Sequence, residues 1–215
     1  MDATTRSRRG AHYTAVRDIL RVTDPVILQP FRREWADVKT QAEALSKKRR
    51  GKPASLEVVQ AFHTRLGGMT ILALTCGSGD FLVVALGRLL DLEQEVRALG
   101  AGPFAMPPQV YPRQLRGIEI EVFAHELASV SAWIAFFQWK AAHGGEGETP
   151  VLQRLDNIGH RDALLNPDGT EATWPHAEFI IGTPPFLGEK KEGGHTRTAL
   201  RGATSPDLPR LRSGQ

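Results

Sequence analysis

The stretch TCGSGD, residues 75–80, has the composition of a turn that brings the main chain close to a ligand. Gly77 and Gly79 are two residues apart, and glycine permits both the tight bend and the close approach. An apolar run at residues 69–75 precedes the turn, and a predicted helix at residues 81–99 follows it. The turn lacks the Gly-Lys-Ser/Thr of a phosphate loop and the third glycine of a dinucleotide fingerprint. A turn that only connects the two elements is the alternative.

Two polar side chains of this turn have ordinary structural interpretations. Asp80 is expected to cap the following helix through its carboxylate. Cys76 is expected to be a buried packing residue, because no histidine that would activate it lies nearby in sequence. Cys76 is also the single cysteine of the chain, which excludes an intramolecular disulfide framework and fits a reducing compartment.

A carboxylate, Glu119, interrupts the apolar strand predicted for residues 114–120. Burying an acid in a strand is costly unless the carboxylate is paired or receives hydrogen bonds. One strand beyond a glycine-rich turn, an acid can accept hydrogen bonds from both hydroxyls of a ribose. The alternative is a salt bridge to Arg113 or Arg116.

Asp162 follows a third predicted strand, residues 151–159. At that position its carboxylate is placed to accept a hydrogen bond from an adenine amino group. The alternative is an N-cap for a short helix at residues 163–165, and the two roles can coexist.

The stretch TPPF, residues 183–186, ends a fourth predicted strand at residues 177–182. Pro184 and Pro185 have no N–H to donate and hold φ near one value, so the elbow is stiff while its carbonyls stay free as acceptors. Phe186 adds a flat apolar face. This combination suits a planar ring that bears an amino group, and a rigid loop with Phe186 packed inward is the alternative.

Strands that alternate with helices predict a doubly wound α/β fold with a mainly parallel sheet. In such sheets ligands bind beyond the carboxyl ends of the strands, where the strand order reverses. All four features described above lie at such ends. We therefore predict that the glycine turn, Glu119 and Asp162 converge on one nucleoside pocket, which Pro184 and Pro185 border.

The composition is that of a globular chain with a substantial core: 215 residues, 41% hydrophobic and 24% charged. The formal net charge is +3, and the six basic and three acidic residues from Gly188 onward account for all of it. A basic cluster at residues 46–52 is either a solvated loop or a phosphate contact. No apolar run approaches the roughly 20 residues of a membrane span, and the N-terminus lacks the apolar core of a signal peptide. These features predict a cytoplasmic protein without a membrane partner.

Five stretches taken together resemble the amino-group DNA methyltransferases, and the chain is most similar to the MmeI-like restriction–modification type. They are GAHYT (10–14), TCGSGDFL (75–82), GIEIEVFAHELA (117–128), RDALL (161–165) and FIIGTPPFLGEKK (179–191). The resemblance implies a Rossmann-like class I fold. It also implies transfer of a methyl group from S-adenosylmethionine to the exocyclic amine of a base, usually adenine, in double-stranded DNA. No metal is implied.

The resemblance also assigns roles to individual residues. The methionine part of the cofactor would be held by His12, Tyr13, Thr14, Cys76, Gly77, Ser78 and Gly79. Glu119 would bind the ribose and Asp162 the adenine. The catalytic loop that receives a flipped base would be Thr183, Pro184, Pro185 and Phe186.

Three departures from the family pattern predict weak or absent activity. Thr183 stands where the family has Asn or Asp, and losing one preorganised acceptor costs about 3–4 kcal/mol, or roughly 10²–10³ in rate. The usual Asp-Pro-Ala-Cys reads Ala-Leu-Thr-Cys at residues 73–76, so a carboxylate near the methionine is missing. Asp80 replaces a usual Asn.

The expected organisation has three parts: a helical segment at 1–54 carrying GAHYT, a cofactor-binding core at 55–191, and a disordered tail at 192–215. Within the first part, residues 14–28 are predicted to be helical as far as Pro25. Family members continue through three more strands and a target-recognition domain, so we expect a truncated or degenerate copy that is marginally stable alone.

Two other functions stay open at this point. One is a non-catalytic cofactor- or DNA-binding fragment that needs a partner chain for the missing strands and target-recognition domain. The other is a small-molecule or protein-glutamine methyltransferase, against which the GAHYT and FLGEKK stretches argue.

Overall fold

The structure is a computed structural model, and it describes residues 14–48, 51–100, 106–144 and 156–182. The helices within these ranges are α1 (Val16–Thr23), α2 (Gln29–Ser46), α3 (Lys52–Gly68), α4 (Asp80–Leu99) and α5 (Val122–Ala142). The strands are β1 (Ile71–Leu74), β2 (Leu115–Glu119), β3 (Ile158–His160) and β4 (Phe179–Gly182). A π-helical turn, Asp24–Leu28, joins α1 to α2, and a 3-10 turn, Pro112–Gln114, leads into β2.

The four strands form one sheet in the order β3-β2-β1-β4, and every pairing is parallel. Ile71 at the start of β1 is paired with Leu115 of β2 on one side and with Phe179 of β4 on the other. The chain therefore adds β2 and β3 on one side of β1 and then returns to add β4 on the other side. The strand order reverses between β1 and β4, which makes this boundary the switch point. This confirms the predicted α/β fold with a parallel, doubly wound sheet.

The two faces of the sheet are covered differently within the described ranges. All five helices share one hydrophobic core with Ile71, Ala73 and Leu115, and we call this side the helix face. The opposite side carries Leu72 and Ile118 and is covered by residues 161–178, here called the strap. A right-handed connection that reverses direction must cross the opposite face, which is why the strap lies there.

The third predicted strand is only partly confirmed, since Asp156 and Asn157 form a turn. The sequence suggested residues 151–159, whereas β3 is Ile158–His160, and residues 151–155 lie outside the described residues. Only Gly117, Ile118 and Glu119 of β2 have partners on β3. The pairing length of the neighbouring strand, rather than the local apolar pattern, sets where β3 is formed.

The predicted end of the first helix at Pro25 is also wrong, because the chain stays helical from Val16 to Ser46. Pro25 lies in the π-helical turn, where the N–H of Gln29 bonds to the carbonyl of Asp24, five residues back. The wider turn accommodates a residue that has no N–H to donate. Arg88 of α4 holds the turn by bonds of 3.2 and 3.4 Å to the Asp24 carboxylate.

A fully buried polar pair joins α3 to α4. His63 and Glu93 are 0% and 2% exposed, and His63 Nε2 lies 2.7 Å from Glu93 Oε1. The same oxygen accepts from the backbone N–H groups of Gln109 and Val110, at 2.5 and 3.0 Å. Glu93 thus fixes the segment that leads into β2, and with it the position of Glu119.

We expect Glu93→Ala to lower the free energy of unfolding by about 3–5 kcal/mol, because it leaves a buried imidazole and the N–H groups of Gln109 and Val110 without their acceptor. Glu95→Ala is the matched control, since Glu95 pairs with Arg32 at the exposed surface and its loss should cost less than about 1 kcal/mol. Urea unfolding followed by circular dichroism measures both values. Equal losses in the two variants would contradict the role given to Glu93.

Candidate functional site

The turn between β1 and α4 contains three residues in left-handed backbone conformations: Thr75 at φ 53°, Gly77 at φ 56° and Gly79 at φ 88°. The two glycines have different surroundings. A Cβ on Gly79 would lie 3.2 Å from Cα of Ala128, so Gly79 lets α5 approach the turn. A Cβ on Gly77 would meet nothing within 4 Å. Gly77 therefore presents its backbone to open space, as the close approach of a ligand requires.

Glu119 is the group that holds this turn in place. It is 8% exposed, and its Oε2 accepts from the N–H of Gly77 at 2.8 Å. Its Oε1 accepts from the N–H of Glu121 at 2.9 Å, in the turn between β2 and α5. One carboxylate thus bridges the turns that follow two adjacent strands. Because each carboxylate oxygen has two acceptor positions, one on each oxygen is left for a ligand hydroxyl.

The alternative partners expected for Glu119 do not contact it. Arg116 lies on the strap face and donates to the carbonyl of His176 at 2.7 Å. The guanidinium of Arg113 lies 4.7 Å from the ring centre of Tyr111. The salt bridge was therefore the wrong alternative. Arg116 and Glu119 are three residues apart in β2, so their side chains point to opposite faces of the sheet.

The end of β3 completes the same edge of the sheet. The backbone N–H of Arg161 bonds to the carbonyl of Glu119 at 3.0 Å, and His160 Nε2 donates to the carbonyl of Ile120 at 2.9 Å. These bonds fix Asp162, the next residue, beside the β2 turn. Glu119 and Asp162 are therefore brought to one edge with Gly77, as the sequence predicted, while their contact with a ligand stays a prediction.

Asp162 caps a turn rather than a helix. Its Oδ1 accepts from the N–H groups of Leu164 and Leu165 at 2.7 and 3.2 Å, but no helix begins there. The predicted N-cap was right about the backbone donors and wrong about the helix, since the strap runs on in turns as far as β4. Among the described residues, none donates a hydrogen bond to Asp162 Oδ2.

Asp80 does not have the capping role predicted for it. The N-cap of α4 is Gly79, and no side chain caps this helix. Asp80 is instead the first helical residue, and it accepts from the hydroxyl of Ser78 at 3.2 Å. The left-handed conformation of Gly79 starts the helix one residue earlier than the sequence suggested.

Exposed apolar side chains follow Glu119 in the chain, and the sequence patterns did not predict their exposure. Ile120, Val122 and Phe123 are 59%, 61% and 79% exposed. In the sequence Ile120 reads as the last residue of a buried strand. The structure ends β2 at Glu119 and turns Ile120 outward. The position of an apolar residue directly after an acid at a strand end is the sequence signal that could have indicated this exposure. The exposed Ile120 side chain offers an apolar surface to a planar ring.

The other predicted site residues are only partly within the described ranges. Thr14 is half-buried and lies two residues before α1. His12, Tyr13, Thr183, Pro184, Pro185 and Phe186 lie outside the described residues. Gly182, the last residue of β4, is paired with Leu74 of β1, so the chain leaves β4 at the edge where the glycine turn begins.

Two further properties bear on the class of site. No group of three His, Cys, Asp or Glu side chains that would hold a metal ion is present in the part of the chain that the structure describes. None of the described helices has the length and apolar character needed to cross a membrane.

Comparison with known proteins gives concordant matches. The family model described as "MmeI, DNA-methyltransferase domain" matches residues 42–208. DNA methyltransferase A of Bacillus subtilis (strain 168) is 29% identical in an alignment of 200 residues that covers 87% of this chain and 21% of that protein. The solved structure of the Type IIL restriction-modification enzyme MmeI in complex with DNA matches with a TM-score of 0.72 and 27% identity. That match covers 94% of this chain and 26% of the MmeI chain. The present chain thus spans about a fifth to a quarter of the length of these relatives.

Cys76 provides a test of the site's packing. It is 7% exposed, as predicted, and burial together with the nearby Glu119 charge raises the pKa of its thiol to about 12. We expect iodoacetamide to alkylate Cys76 far more slowly in the folded chain at pH 8.5 than in urea, because the thiolate is the reactive form. Between pH about 9 and 12 the unfolded chain loses the thiol proton of Cys76 and the folded chain keeps it. The free energy of unfolding therefore falls as pH rises through this range. Equal alkylation rates, followed by mass spectrometry, would contradict the buried position.

Proposed function

The chain belongs to the MmeI DNA-methyltransferase domain family, and we propose that it binds S-adenosylmethionine for methylation of adenine in double-stranded DNA. The observation that carries the cofactor proposal is the Glu119 carboxylate, which is bound to the N–H of Gly77 and retains acceptor positions at the edge of the sheet. A buried acid joined to an open glycine turn is the arrangement that ribose recognition requires.

In this proposal, different described residues bind different parts of the cofactor. Glu119 accepts from the ribose hydroxyls through its remaining lone pairs. Asp162 Oδ2 accepts from the adenine amino group, and the exposed side chain of Ile120 covers one face of the ring. Asp162 is suited to this role because Leu164 and Leu165 already fix its other oxygen.

The methionine part is assigned to the backbone of Cys76, Gly77, Ser78 and Gly79, with His12, Tyr13 and Thr14 as the further contacts. The turn lies at the N-terminus of α4, a helix of 20 residues. The unpaired N–H groups and the helix dipole favour a carboxylate at this position. This supports the methionine carboxylate as the group held there.

When bound, S-adenosylmethionine supplies a methyl group on a sulfonium, and transfer of that methyl needs no metal. The protein's proposed part is to make a poorly nucleophilic amine reactive. The Thr183 hydroxyl and the Pro184 carbonyl would accept from the amino hydrogens, which draws the nitrogen towards tetrahedral geometry. The neighbouring Pro185 keeps this elbow stiff, and Phe186 would stack on the flipped base. Gly182 is paired with Leu74, which supports a loop that starts beside the cofactor.

The partners and organisation follow as proposals. The MmeI structure was solved in complex with DNA, which supports double-stranded DNA as the substrate. We assign the cofactor core to residues 55–191, with a helical segment at 1–54 and a tail at 192–215, in a cytoplasmic protein. Since the matches cover only 21% and 26% of the two relatives, we propose that target recognition comes from polypeptide beyond this domain, in the same or a partner chain.

A non-catalytic, cofactor-binding role is the second candidate, and Thr183 is the observation that favours it. A hydroxyl is shorter than the Asn or Asp side chain of the family and is also a donor. Binding of cofactor without transfer would identify this second function.

We expect Glu119→Gln to weaken binding of S-adenosylmethionine at least about tenfold, because its amide NH₂ would face the N–H of Gly77 or Glu121 instead of accepting from it. Isothermal titration calorimetry measures the dissociation constant, and Glu95→Gln is a surface control of the same chemistry. Thermal unfolding of each variant checks that the fold is retained. Unchanged affinity in a folded Glu119→Gln chain would refute the ribose assignment.

We expect Thr183→Asn to raise the rate of methyl transfer to plasmid DNA by roughly 10²–10³, because it restores the missing acceptor. Incorporation of radiolabelled methyl groups gives the rate, and Thr170→Asn, a substitution in the strap, is the control. If parent and variant both bind the cofactor and neither transfers methyl groups, the acceptor at residue 183 is not what limits the reaction.

A further inference from the structure

A groove of about 540 Å³ lies on the strap face of the sheet, above β2 and β3. Sites for small ligands occupy about 300–1,000 Å³, so the groove can hold a group as large as a nucleotide. Its wall includes Arg116 and Ile118 of β2, Asn157 and Gly159 at β3, and Arg161 and Trp174 at the ends of the strap. None of these residues has a part in the proposed binding of the cofactor.

Two arginines bring positive charge to the groove. Arg116 donates to the carbonyl of His176 at 2.7 Å, and Arg161 donates to the carbonyl of Thr173 at 2.6 Å. Neither forms an ion pair with a residue in the described ranges, although the carboxylate of Asp156 also lines the groove. The carbonyl bonds hold both guanidinium groups in place and leave most of their five N–H donors available.

Trp174 adds a fixed aromatic surface to the same groove. Its Nε1 donates to the carbonyl of Ala163 at 2.6 Å, so its polar atom is already satisfied. The side chain is nevertheless 45% exposed. An indole held in this way presents a flat face on which a base can stack.

We propose that this groove binds a nucleic-acid phosphate between Arg116 and Arg161, with the neighbouring base or sugar against Trp174. Guanidinium groups pair with phosphate through forked hydrogen bonds, and the concave wall strengthens the field of the two charges. The site is separate from the Glu119 edge and contacts the DNA strand away from the reacting base. This proposal rests on the charge and geometry of the groove and does not require that the chain transfers methyl groups.

The test measures DNA binding by fluorescence anisotropy with a labelled duplex and a labelled single strand at several salt concentrations. We expect Arg116→Gln/Arg161→Gln to weaken binding about tenfold or more and to reduce the slope of log K against log salt by about one, because one phosphate contact is lost. Gln removes the charge and keeps a polar N–H₂ donor. The matched control is Arg33→Gln/Arg97→Gln, which removes the same charge elsewhere; Arg97, like the groove arginines, donates to a backbone carbonyl.

Equal losses in the groove and control variants would overturn the proposal, because they would show only a general effect of charge. A second measurement uses the parent chain, so its result does not depend on whether the variants fold. Phenylglyoxal modification of the parent chain, read by mass spectrometry, should be reduced at Arg116 and Arg161 by the oligonucleotide and remain unchanged at Arg33. Protection by inorganic pyrophosphate but not by DNA would assign the groove to a free phosphate compound and reject the DNA contact. Binding of S-adenosylmethionine, measured on the same variants, reports separately on the cofactor site.

Discussion

The carboxylate of Glu119 is the constraint on which the rest of the site depends. An acid that is 8% exposed at the end of an apolar strand is tolerated only where donors surround it. Its donors are backbone N–H groups of Gly77 and Glu121, which belong to the turns after β1 and β2. Satisfying one buried charge therefore fixes two turns relative to each other. The geometry of the edge at which we propose that a nucleoside binds results from this requirement.

The order of the strands makes that arrangement possible. β1 is paired with β2 on one side and β4 on the other, so three carboxyl ends are neighbours although the chain between them is long. β3 contributes through the bonds of Arg161 and His160 to the carbonyls of Glu119 and Ile120. Upstream, buried Glu93 holds the segment that enters β2. Hydrogen bonds to two buried carboxylates, Glu93 before β2 and Glu119 at its end, thus hold the two ends of this strand.

The two faces of the sheet have separate consequences for function. Helices cover the helix face completely enough to bury Leu82, Leu86 and Leu89. The strap covers the other face with turns, and arginine side chains anchor it through backbone carbonyls. Turns leave spaces between their anchor points where a helix would pack closely. The charged groove lies between such anchor points on the strap face.

The sequence by itself determined the alternation of strands and helices, the parallel sheet, and the location of Gly77, Glu119 and Asp162 at strand ends. These properties follow from local periodicity and from rules that hold for every parallel sheet. Tertiary structure decided the partners: backbone N–H groups instead of arginines for Glu119, and a turn instead of a helix for Asp162. It also carried the helix past Pro25, confined β3 to Ile158–His160 and turned Ile120 outward. The bond of Glu119 to Gly77 and the pairing of β3 with β2 depend on residues distant in sequence, whose approach no local pattern records.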